Sequence, residues 1–431
     1  ESPPNAYATI YAAANAIAAY NNTNHSRNNC GGATIDLKEG SHVFTSGTVS
    51  AGGKASAQTW TTLTNFPGTS RENVILSNTS GDKQIGEKLK IEGITITNFT
   101  STGPTGMDYV WQHNCVLDLT TTGGGFYYSN SCLYITHSSL GHCQEYRPYS
   151  TLNAPRCIIR GCDSVETISQ VFTAYTLLGN DFILGTSDNL SNGYSGQTQP
   201  DMQNIIVAYN KIQKTGDARV LSWISVYDDQ SHNSAIVQNL FVKTAAVGTN
   251  PITTVYGDGS DLECHNILFA YNTMIGQRQN IAFNDYNLNE VGPLFFNHWR
   301  FIGNVWEDFN SVTDNFDHGG GKDGDRYGNH AIMHGCGWVG NAITNYKMGT
   351  LDAAPEFIGI FGNRQIGNPY FLDDQTNTAI GGTYTPTLNT PFLNFIPEGS
   401  AFLPYDIAGN PRRKIGRASC RERVKISVVA V

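Results

Sequence analysis

An apolar strand, an asparagine and a second apolar strand recur along the middle of this 431-residue chain. The segments at 204–212 and 266–274, for example, read NIIVAYNKI and NILFAYNTM. The recurring asparagines are Asn180, Asn210, Asn239, Asn272 and Asn304. Their spacing is nearly constant, and a period of this length, with no helical stretch between the copies, indicates stacked strand-turn-strand units. The sequence therefore predicts one large all-β solenoid.

The asparagines are expected to lie at the corners of this solenoid and to have a structural role. Asparagine tolerates the left-handed backbone region that a sharp turn demands. In addition, asparagines on rungs stacked ~4.8 Å apart can hydrogen-bond to one another through their side-chain amides. We therefore predict a ladder that includes Asn210, Asn239, Asn272 and Asn304, and we assign none of these residues to catalysis.

The N-terminal segment, 1–30, differs from the repeats. Ala6 to Tyr20 is rich in alanine, and its larger apolar residues follow helical spacing on one face: Tyr7, Ile10, Tyr11, Ala14 and Ile17. After Gly31-Gly32 the apolar period changes to two. An amphipathic helix at the start of a solenoid suits the covering of an open core. We predict a helical cap and linker over 1–30, followed by a β-helix domain with its own C-terminal cap over 31–412.

The remaining segment, 413–431, is predicted to be a non-native tail. Ile415 to Val424 resembles a translated sequencing adaptor, and it follows a chain punctuated by glycine and proline with an abrupt basic run. From Lys414 onward the tail carries five basic residues and one acidic residue, which leaves 22 basic and 35 acidic residues and a net charge of −13 instead of −9. Such acidity argues against nucleic acid as a partner. The sequence also has no transmembrane run, and a start at Glu1 without a signal peptide is expected of a mature form or a fragment.

Eight cysteines remain once Cys420 is set aside with the tail. An even number fits an oxidising compartment, where Cys157 with Cys162, or Cys132 with Cys143, can close short loops. Alternatively, these cysteines are small apolar residues stacked inside the solenoid. The sequence leaves both alternatives open.

The repeating units resemble the rungs of the pectate-lyase-like superfamily of right-handed parallel β-helix proteins, over roughly Gly31 to Arg412. The closing segment from Asp406 to Arg412 is similar to the terminal segment of many secreted bacterial members. This resemblance implies a right-handed parallel β-helix with a short capping helix, located outside the cell or on its surface, with polysaccharide as its partner. No coiled-coil segment is present to drive trimerisation, so a monomer is expected.

Acidic residues follow the strands that come after the asparagine units. Asp228, Asp258, Asp285 and Asp317 recur at nearly the same interval as the asparagines, and this spacing favours a column along one edge of the solenoid. Two carboxylates ~5 Å apart repel by about 3 kcal/mol at an effective dielectric near 20, so a column requires solvent, protons or a cation. Carboxylates at turns suit Ca²⁺, and Asp258, Asp285 and Asp317 are its candidate ligands. The alternative is that these aspartates simply terminate strands.

The predicted reaction depends on which residues face the substrate groove. A uronate lyase needs a base beside a neutralised carboxylate, whereas a hydrolase needs two carboxylates. The candidate bases lie at or near an unusual glycine-rich loop over 317–330, or one rung before it, and are Arg278, His318, Lys322 and Arg326. The candidate hydrolase carboxylates are Asp228, Asp229, Asp258 and Asp261. Polygalacturonase-like members of the superfamily carry an Asp-Asp motif that Asp228-Asp229 matches, but an Arg-x-Lys motif has no counterpart here.

Aromatic residues accompany the acidic residues in the same rungs and are candidates for sugar stacking: Trp223, Tyr227, Tyr256, Tyr271, Trp299 and Trp306. Taken together, the sequence predicts a secreted carbohydrate-active β-helix, with polysaccharide lyase chemistry ahead of glycoside hydrolysis and calcium as the candidate cofactor. The main alternative is a non-catalytic adhesin or structural cell-surface protein of the same fold, because fold does not determine function.

Overall fold

A computed structural model shows a chain built almost entirely of short parallel strands. It describes residues 7–26, 29–44, 59–78, 88–97, 100–101, 110–118, 125–127, 132–141, 146–147, 156–164, 172–173, 176–185, 190–191, 206–214, 221–226, 231–243, 253–258, 263–276, 281–285, 294–297, 300–302, 304–308, 316–317, 331–334, 337–339, 342–344 and 364–366. The chain divides into two compact units, 1–176 and 177–431. No helix within the described ranges is long and apolar enough to cross a membrane.

The first unit contains one α-helix, one short 3₁₀ helix and sixteen described strands. The helix α1 is Ile10–His25 and the 3₁₀ helix is Arg71–Asn73. The strands are β1 Thr34–Leu37, β2 Gly40–Phe44, β3 Thr61–Asn65, β4 Val74–Asn78, β5 Leu89–Glu92, β6 Thr95–Thr97, β7 Thr100–Ser101, β8 Val110–His113, β9 Val116–Asp118, β10 Gly125–Tyr127, β11 Cys132–Thr136, β12 Ser139–Leu140, β13 Tyr146–Arg147, β14 Arg156–Arg160, β15 Asp163–Ser164 and β16 Phe172–Thr173.

The second unit contains the other described strands, and the boundary between the units falls within β17. These strands are β17 Thr176–Leu178, β18 Asp181–Leu184, β19 Leu190–Ser191, β20 Ile206–Ala208, β21 Lys211–Lys214, β22 Leu221–Val226, β23 Ser231–Val237, β24 Leu240–Lys243, β25 Thr253–Asp258, β26 Glu263–Ala270, β27 Thr273–Gly276, β28 Ile281–Asp285, β29 Leu294–Asn297, β30 Arg300–Ile302, β31 Val305–Asp308, β32 Phe316–Asp317, β33 Ala331–His334, β34 Gly337–Val339, β35 Ala342–Thr344 and β36 Arg364–Ile366.

Strands close in sequence belong to different sheets, and each strand pairs in parallel with a strand one turn later. In the first unit the three sheets run β1-β3-β5-β8-β11-β14, β2-β4-β6-β9-β12-β15 and β7-β10-β13-β16. In the second unit they run β17-β20-β23-β26-β29-β33, β18-β21-β24-β27-β31-β35-β36 and β19-β22-β25-β28-β32, and β30 pairs with β26 and β34. Parallel strands joined by crossovers wind right-handed almost without exception. Each unit is therefore a right-handed parallel β-helix, and the predicted fold class is confirmed.

The N-terminal helix is confirmed, but its bounds and its buried face differ from the prediction. The helix begins at Ile10 behind the N-cap Thr9, and it ends at His25 with Ser26 in the left-handed region. Its buried side chains are Ile10, Ala13, Ala14, Ala18 and Asn21, whereas the predicted face residues Tyr7 and Tyr11 are exposed. Small alanines allow close packing, and the Sγ of Cys30 lies 3.3 Å from the carbonyl oxygen of Ala14.

The asparagine ladder of the second unit is confirmed. The Nδ2 of each asparagine donates to the Oδ1 of the next, at 2.8 Å from Asn180 to Asn210, 2.9 Å to Asn239, 2.9 Å to Asn272 and 3.0 Å to Asn304. The same oxygens also accept the backbone N–H of the preceding asparagine at 2.9–3.0 Å. All five residues are buried. The ladder therefore supplies partners to polar groups that water does not reach.

The backbone reason given for asparagine at the corners is wrong. The left-handed position in each turn is held by the preceding residue, namely Gly179, Tyr209, Gln238 and Tyr271, with φ between 55° and 64°. The asparagine itself follows this position and points into the interior. Asparagine is thus needed at these corners because of the hydrogen bonds that its side chain makes, and not because of its backbone conformation.

Cys115 and Cys162 take the corresponding corner position in two turns of the first unit. Cys115 follows the left-handed Asn114, and Cys162 follows the left-handed Gly161. Both thiols are free and buried, as is the thiol of Cys30. Burial raises the pKa of Cys115 and of Cys162 to about 12. Of the two alternatives that the sequence left open, the Cys157–Cys162 disulfide does not form because the thiol of Cys162 is free, and the alternative of stacked small residues holds for Cys115 and Cys162. The Cys132–Cys143 pair lies outside the described side chains.

Among the described residues of the first unit, the buried side chains of Thr61 and Gln112 have polar atoms without a hydrogen-bond partner. Gln112 is buried between Ile91 and Ile135 on the neighbouring rungs. Neither its Nε2 nor its Oε1 has a hydrogen-bond partner. Burying an unsatisfied amide costs about 1–3 kcal/mol.

We expect Gln112→Met to stabilise the protein by about 1–3 kcal/mol, because methionine has a similar length and lacks the unsatisfied groups. Chemical denaturation followed by circular dichroism measures the change. Leu63→Met, a substitution on the inner face of the same sheet, is the matched control and is expected to cost under about 1.5 kcal/mol. A loss of stability in Gln112→Met would contradict the assignment of an unsatisfied amide.

Candidate functional site

The first sheet of the first unit presents an inner and an outer set of residues on alternate positions of its strands. One row of inner residues is apolar apart from Gln112, and in register it consists of Leu63, Ile91, Gln112, Ile135 and Ile159. The outer residues form two columns across the rungs. Column one is Thr62, Lys90, Trp111 and Tyr134, and column two is Asp36, Thr64, Glu92, His113, Thr136 and Arg160. Because neighbouring rungs are ~4.8 Å apart, side chains within one column can contact each other.

Column one carries a group of aromatic side chains. The indole of Trp60, which precedes β3, lies with its centroid 6.3 Å from that of Trp111 and 6.5 Å from the ring of Tyr134. Both contacts are edge-to-face, an arrangement that aromatic quadrupoles favour. The Nζ of Lys90 lies 4.6 Å from the centroid of Trp111, within cation–π range. The result is a packed aromatic surface with a cation beside it.

Column two carries an imidazole that a neighbouring hydroxyl holds in place. The Nδ1 of His113 lies 2.9 Å from the Oγ1 of Thr136. The same oxygen accepts a hydrogen bond from the Nε1–H of Trp111, also at 2.9 Å. Thr136 therefore fixes the orientation of an aromatic residue and of the imidazole at the same time.

Charged groups surround the other edge of the His113 ring. Its Nε2 lies 3.9 Å from the Oε1 of Glu92, and the Nζ of Lys90 forms an ion pair with the Oε2 of Glu92 at 2.7 Å. The ring of His137 lies edge-on to that of His113, with the centroids 5.6 Å apart. Burial lowers the pKa of His113, as do the nearby Lys90 and His137, while the carboxylate of Glu92 opposes this shift. His113 is consequently biased toward its neutral form.

We refer to the residues that form this cluster as the aromatic face: Trp60, Lys90, Glu92, Trp111, His113, Tyr134 and Thr136. Their side chains remain partly accessible, with 20% of Lys90, 35% of Glu92 and 30% of His113 exposed. The combination offers rings for apolar contact, a cation, and an imidazole able to accept or donate a proton near neutral pH. It is the best-defined chemical cluster among the described residues.

The corner behind the aromatic face depends on glycine. Gly93 follows Glu92 with φ +62°, and a Cβ at this position would lie 2.6 Å from the Oδ1 of Asn65. The Nδ2 of Asn65 in turn donates to the carbonyl oxygen of Thr69. The turn after β5 therefore requires a residue that combines a left-handed backbone with no side chain.

Sequence reasoning missed the aromatic face. The sequence does contain a pattern that marks this cluster. Two polar or aromatic residues separated by one residue recur in three strands, as Lys90-x-Glu92, Trp111-x-His113 and Tyr134-x-Thr136. These rungs are shorter than the rungs of the second unit and have no asparagine at the inward-pointing corner position, so they fell outside the pattern that defined the repeat.

Most of the site residues predicted from the sequence lie outside the described residues. These are Asp228, Asp229, Asp261, Arg278, His318, Lys322 and Arg326, and their roles stay predictions. The same is true of the predicted stacking residues Tyr227 and Trp299, while Trp223, Tyr256 and Trp306 lie in strands whose side chains are not described. Tyr271 is at a corner, where its backbone occupies the left-handed position.

The predicted acidic column does not form in the strand register. Asp258 pairs with Val226, Asp285 pairs with Gly257, and Asp317 pairs with Ala282. The expectation of one aligned column is therefore wrong for these three aspartates, and their role as calcium ligands stays a prediction. The described residues contain no group of three or more His, Cys, Asp or Glu that could hold a metal ion.

The chain matches no protein-family model and no curated protein. Among solved structures, it is similar to the A-module of the mannuronan C-5 epimerase AlgE6 from Azotobacter vinelandii, with 84% of this chain and 96% of that chain covered. The sequence identity is 9% and the TM-score is 0.33. A similarity of this degree establishes neither the fold nor the activity of this chain, and the fold follows instead from the strand pairing.

Proposed function

We propose that this chain is a secreted carbohydrate-active protein that binds polysaccharide on the aromatic face and cleaves it by elimination. One observation carries the proposal: Trp111 and Tyr134 stand on successive rungs, with Trp60 packed against both rings and Lys90 and His113 beside them. Sugar rings present apolar faces that pack on aromatic side chains, and their hydroxyl and carboxylate groups bind cations and imidazole.

The arrangement suits a linear polymer. A chain that lies across the strands meets a new rung every ~4.8 Å, so several successive sugars can contact the same column. Column one then supplies stacking surfaces, while column two supplies charged and hydrogen-bonding groups at the same rungs. A small isolated ligand would not need a surface that extends over three rungs.

Elimination is favoured over hydrolysis by the carboxylates of column two. Glycoside hydrolysis uses two carboxyl groups, ~5–5.5 Å apart in retaining enzymes and ~6.5–9.5 Å apart in inverting enzymes. In column two, roughly 10 Å separates the backbones of Asp36 and Glu92, which are two rungs apart, and the rung between them carries Thr64 in place of a carboxylate. Glu92 is also engaged in an ion pair with Lys90 at 2.7 Å. A uronate lyase needs a base and a nearby cation, and the aromatic face contains both.

Binding is tested by affinity electrophoresis of the full chain in gels that contain polygalacturonate, alginate or a neutral glucan. We expect Trp111→Ala to weaken retention about 5–150-fold, if a sugar ring stacked on an aromatic side chain contributes about 1–3 kcal/mol, as a stacked nucleic-acid base does. Tyr20→Ala is the matched control, since Tyr20 is an exposed aromatic on α1 that is not a member of the aromatic face. Equal retention of the two variants would overturn the assignment of the face.

Cleavage is tested with the same polysaccharides, with added Ca²⁺ or with chelator. Ultraviolet absorbance from unsaturated uronate is the expected result. Loss of this signal with chelator would show that the activity requires a divalent cation, which the calcium prediction expects. New reducing ends without absorbance would instead indicate hydrolysis, and retention without any product would support the adhesin alternative.

A further inference from the structure

We propose that His113 is the general base of the elimination, and that its Nδ1–H donates to Thr136 so that Nε2 faces the substrate. This inference rests on the proposed function and assigns a role within the same site. It concerns a residue that the sequence patterns did not single out.

The first support is the hydrogen bonding of Thr136. A hydroxyl oxygen has two acceptor sites, and the Nε1–H of Trp111 fills one of them. The Nδ1 of His113 lies at 2.9 Å and can fill the other as a donor. The hydrogen bond on one ring nitrogen sets which nitrogen carries the proton. With Nδ1 protonated, the neutral ring presents an unprotonated Nε2.

The second support is the surroundings of Nε2. The nearest carboxylate oxygen, on Glu92, is 3.9 Å away, which is too far for a hydrogen bond that would fix a proton there. The ion pair with Lys90 also neutralises much of the charge of Glu92. Because 30% of the His113 side chain is exposed, a sugar bound on the aromatic face can approach this nitrogen.

The third support is the charge state of the ring. Burial, together with the Lys90 cation and His137, lowers the pKa of His113, and Glu92 opposes the shift. A base must be unprotonated before it reacts, and a lowered pKa keeps the imidazole neutral to a lower pH. The activity is therefore expected to fall as the pH drops through the pKa of His113.

The reaction balances as follows. Nε2 removes the proton from C5 of a uronate ring, and the C5–H electron pair forms the C4=C5 double bond. The bond between C4 and the glycosidic oxygen breaks, and the imidazolium returns the proton to that leaving oxygen. Lys90 is placed to neutralise the uronate carboxylate. The products are one unsaturated sugar and one new hydroxyl end, with no other reactant consumed.

The decisive variant is His113→Asn, whose side-chain N–H can replace Nδ1–H toward Thr136 but which provides no base. We expect the turnover of the full chain on the cleaved polyuronate to fall about 10²–10⁴-fold while retention in the polysaccharide gel persists. His42→Asn is the matched control, since it removes an imidazole on β2 that is not a member of the aromatic face, and it is expected to keep wild-type turnover. Wild-type turnover in His113→Asn would overturn the inference, as would retention of polysaccharide by a wild-type protein that forms no product.

Two further measurements separate a base from a merely structural residue. Lys90→Met removes a cation and should move the acidic limb of the pH–rate profile to higher pH, whereas Glu92→Gln should move it to lower pH. A structural role would lower the rate without moving the limb. In ¹⁵N NMR, His113 is expected to show a protonated Nδ1, and a protonated Nε2 in the neutral ring would contradict the inference even without activity.

Discussion

Replacing Asn239 with Asp is expected to destabilise the second unit by about 3–5 kcal/mol at neutral pH, because an uncompensated buried charge is costly on this scale. Asn239 is buried, and its Nδ2 donates to the Oδ1 of Asn272 at 2.9 Å and to the carbonyl oxygen of Val207 at 2.8 Å. An aspartate of the same shape keeps the acceptor but places an oxygen against both of these oxygens.

The loss should depend on pH in a defined direction. Burial and the facing carbonyl oxygens raise the pKa of the new carboxyl above its unfolded value of ~3.9. A raised pKa means that the folded state binds more protons than the unfolded state. The stability of the variant is therefore highest at low pH, and it declines as the pH rises from the unfolded pKa to the folded pKa of the carboxyl group.

Urea denaturation at pH 4 and pH 7 measures both effects. Asn22→Asp on the exposed side of α1 is the matched control, and it is expected to lose less than about 1 kcal/mol at either pH. A variant Asn239→Asp that is as stable as this control would show that the ladder contributes little to stability.

Gly93→Ala is expected to cost more than Gly179→Ala, although both glycines have nearly the same backbone conformation. Their φ values are +62° and +64°. Each substitution incurs about 1–2 kcal/mol for a left-handed residue with a Cβ. Gly179 has no atom within 4 Å of the new Cβ, whereas the Cβ at Gly93 meets the Oδ1 of Asn65 at 2.6 Å. Asn65 must then move and release its bond to Thr69.

We therefore expect Gly93→Ala to lose about 1.5–3.5 kcal/mol in all, since a displaced hydrogen bond adds about 0.5–1.5 kcal/mol to the backbone cost. Thermal and urea denaturation of both variants give the comparison. Because Gly93 directly follows Glu92, Gly93→Ala is also expected to weaken polysaccharide retention. Equal losses for the two variants would show that Asn65 adapts freely.

The fold could be predicted because its main requirement, hydrogen bonding at buried corners, selects one residue type at a regular spacing. A buried corner that must satisfy polar groups repeatedly demands asparagine, and its spacing marked each rung of the second unit. The sequence could not show which of two adjacent corner residues turns left-handed. Tyr209 and Tyr271 occupy that position although tyrosine has no local preference for it, since the ladder and the rung pairing determine the backbone there.

The candidate site was harder to predict because equal spacing does not mean equal register. Asp228, Asp258 and Asp285 recur at intervals close to the repeat length, yet Asp258 pairs with Val226 and Asp285 pairs with Gly257. The interval from Asp228 to Asp258 is longer than the interval from Asp258 to Asp285. Because the loops between the strands differ in length, the aspartates do not lie at equivalent positions of the paired strands. In the aromatic face, by contrast, Trp60 joins the cluster from outside the strands, and no strand pattern includes it.

The asparagine ladder also bears on how such a chain can change in length. The side-chain amide of every internal asparagine donates a hydrogen bond to the asparagine of the following rung and accepts one from the asparagine of the preceding rung. All internal asparagines therefore make the same contacts with the rungs on either side. Duplication of one whole turn, such as the segment from Asn239 to Tyr271, would leave each donor facing an acceptor. The intervening connections already vary between turns. Growth by complete turns is therefore an evolutionary and engineering route that this architecture permits, whereas insertion of a partial turn at a corner would interrupt the ladder.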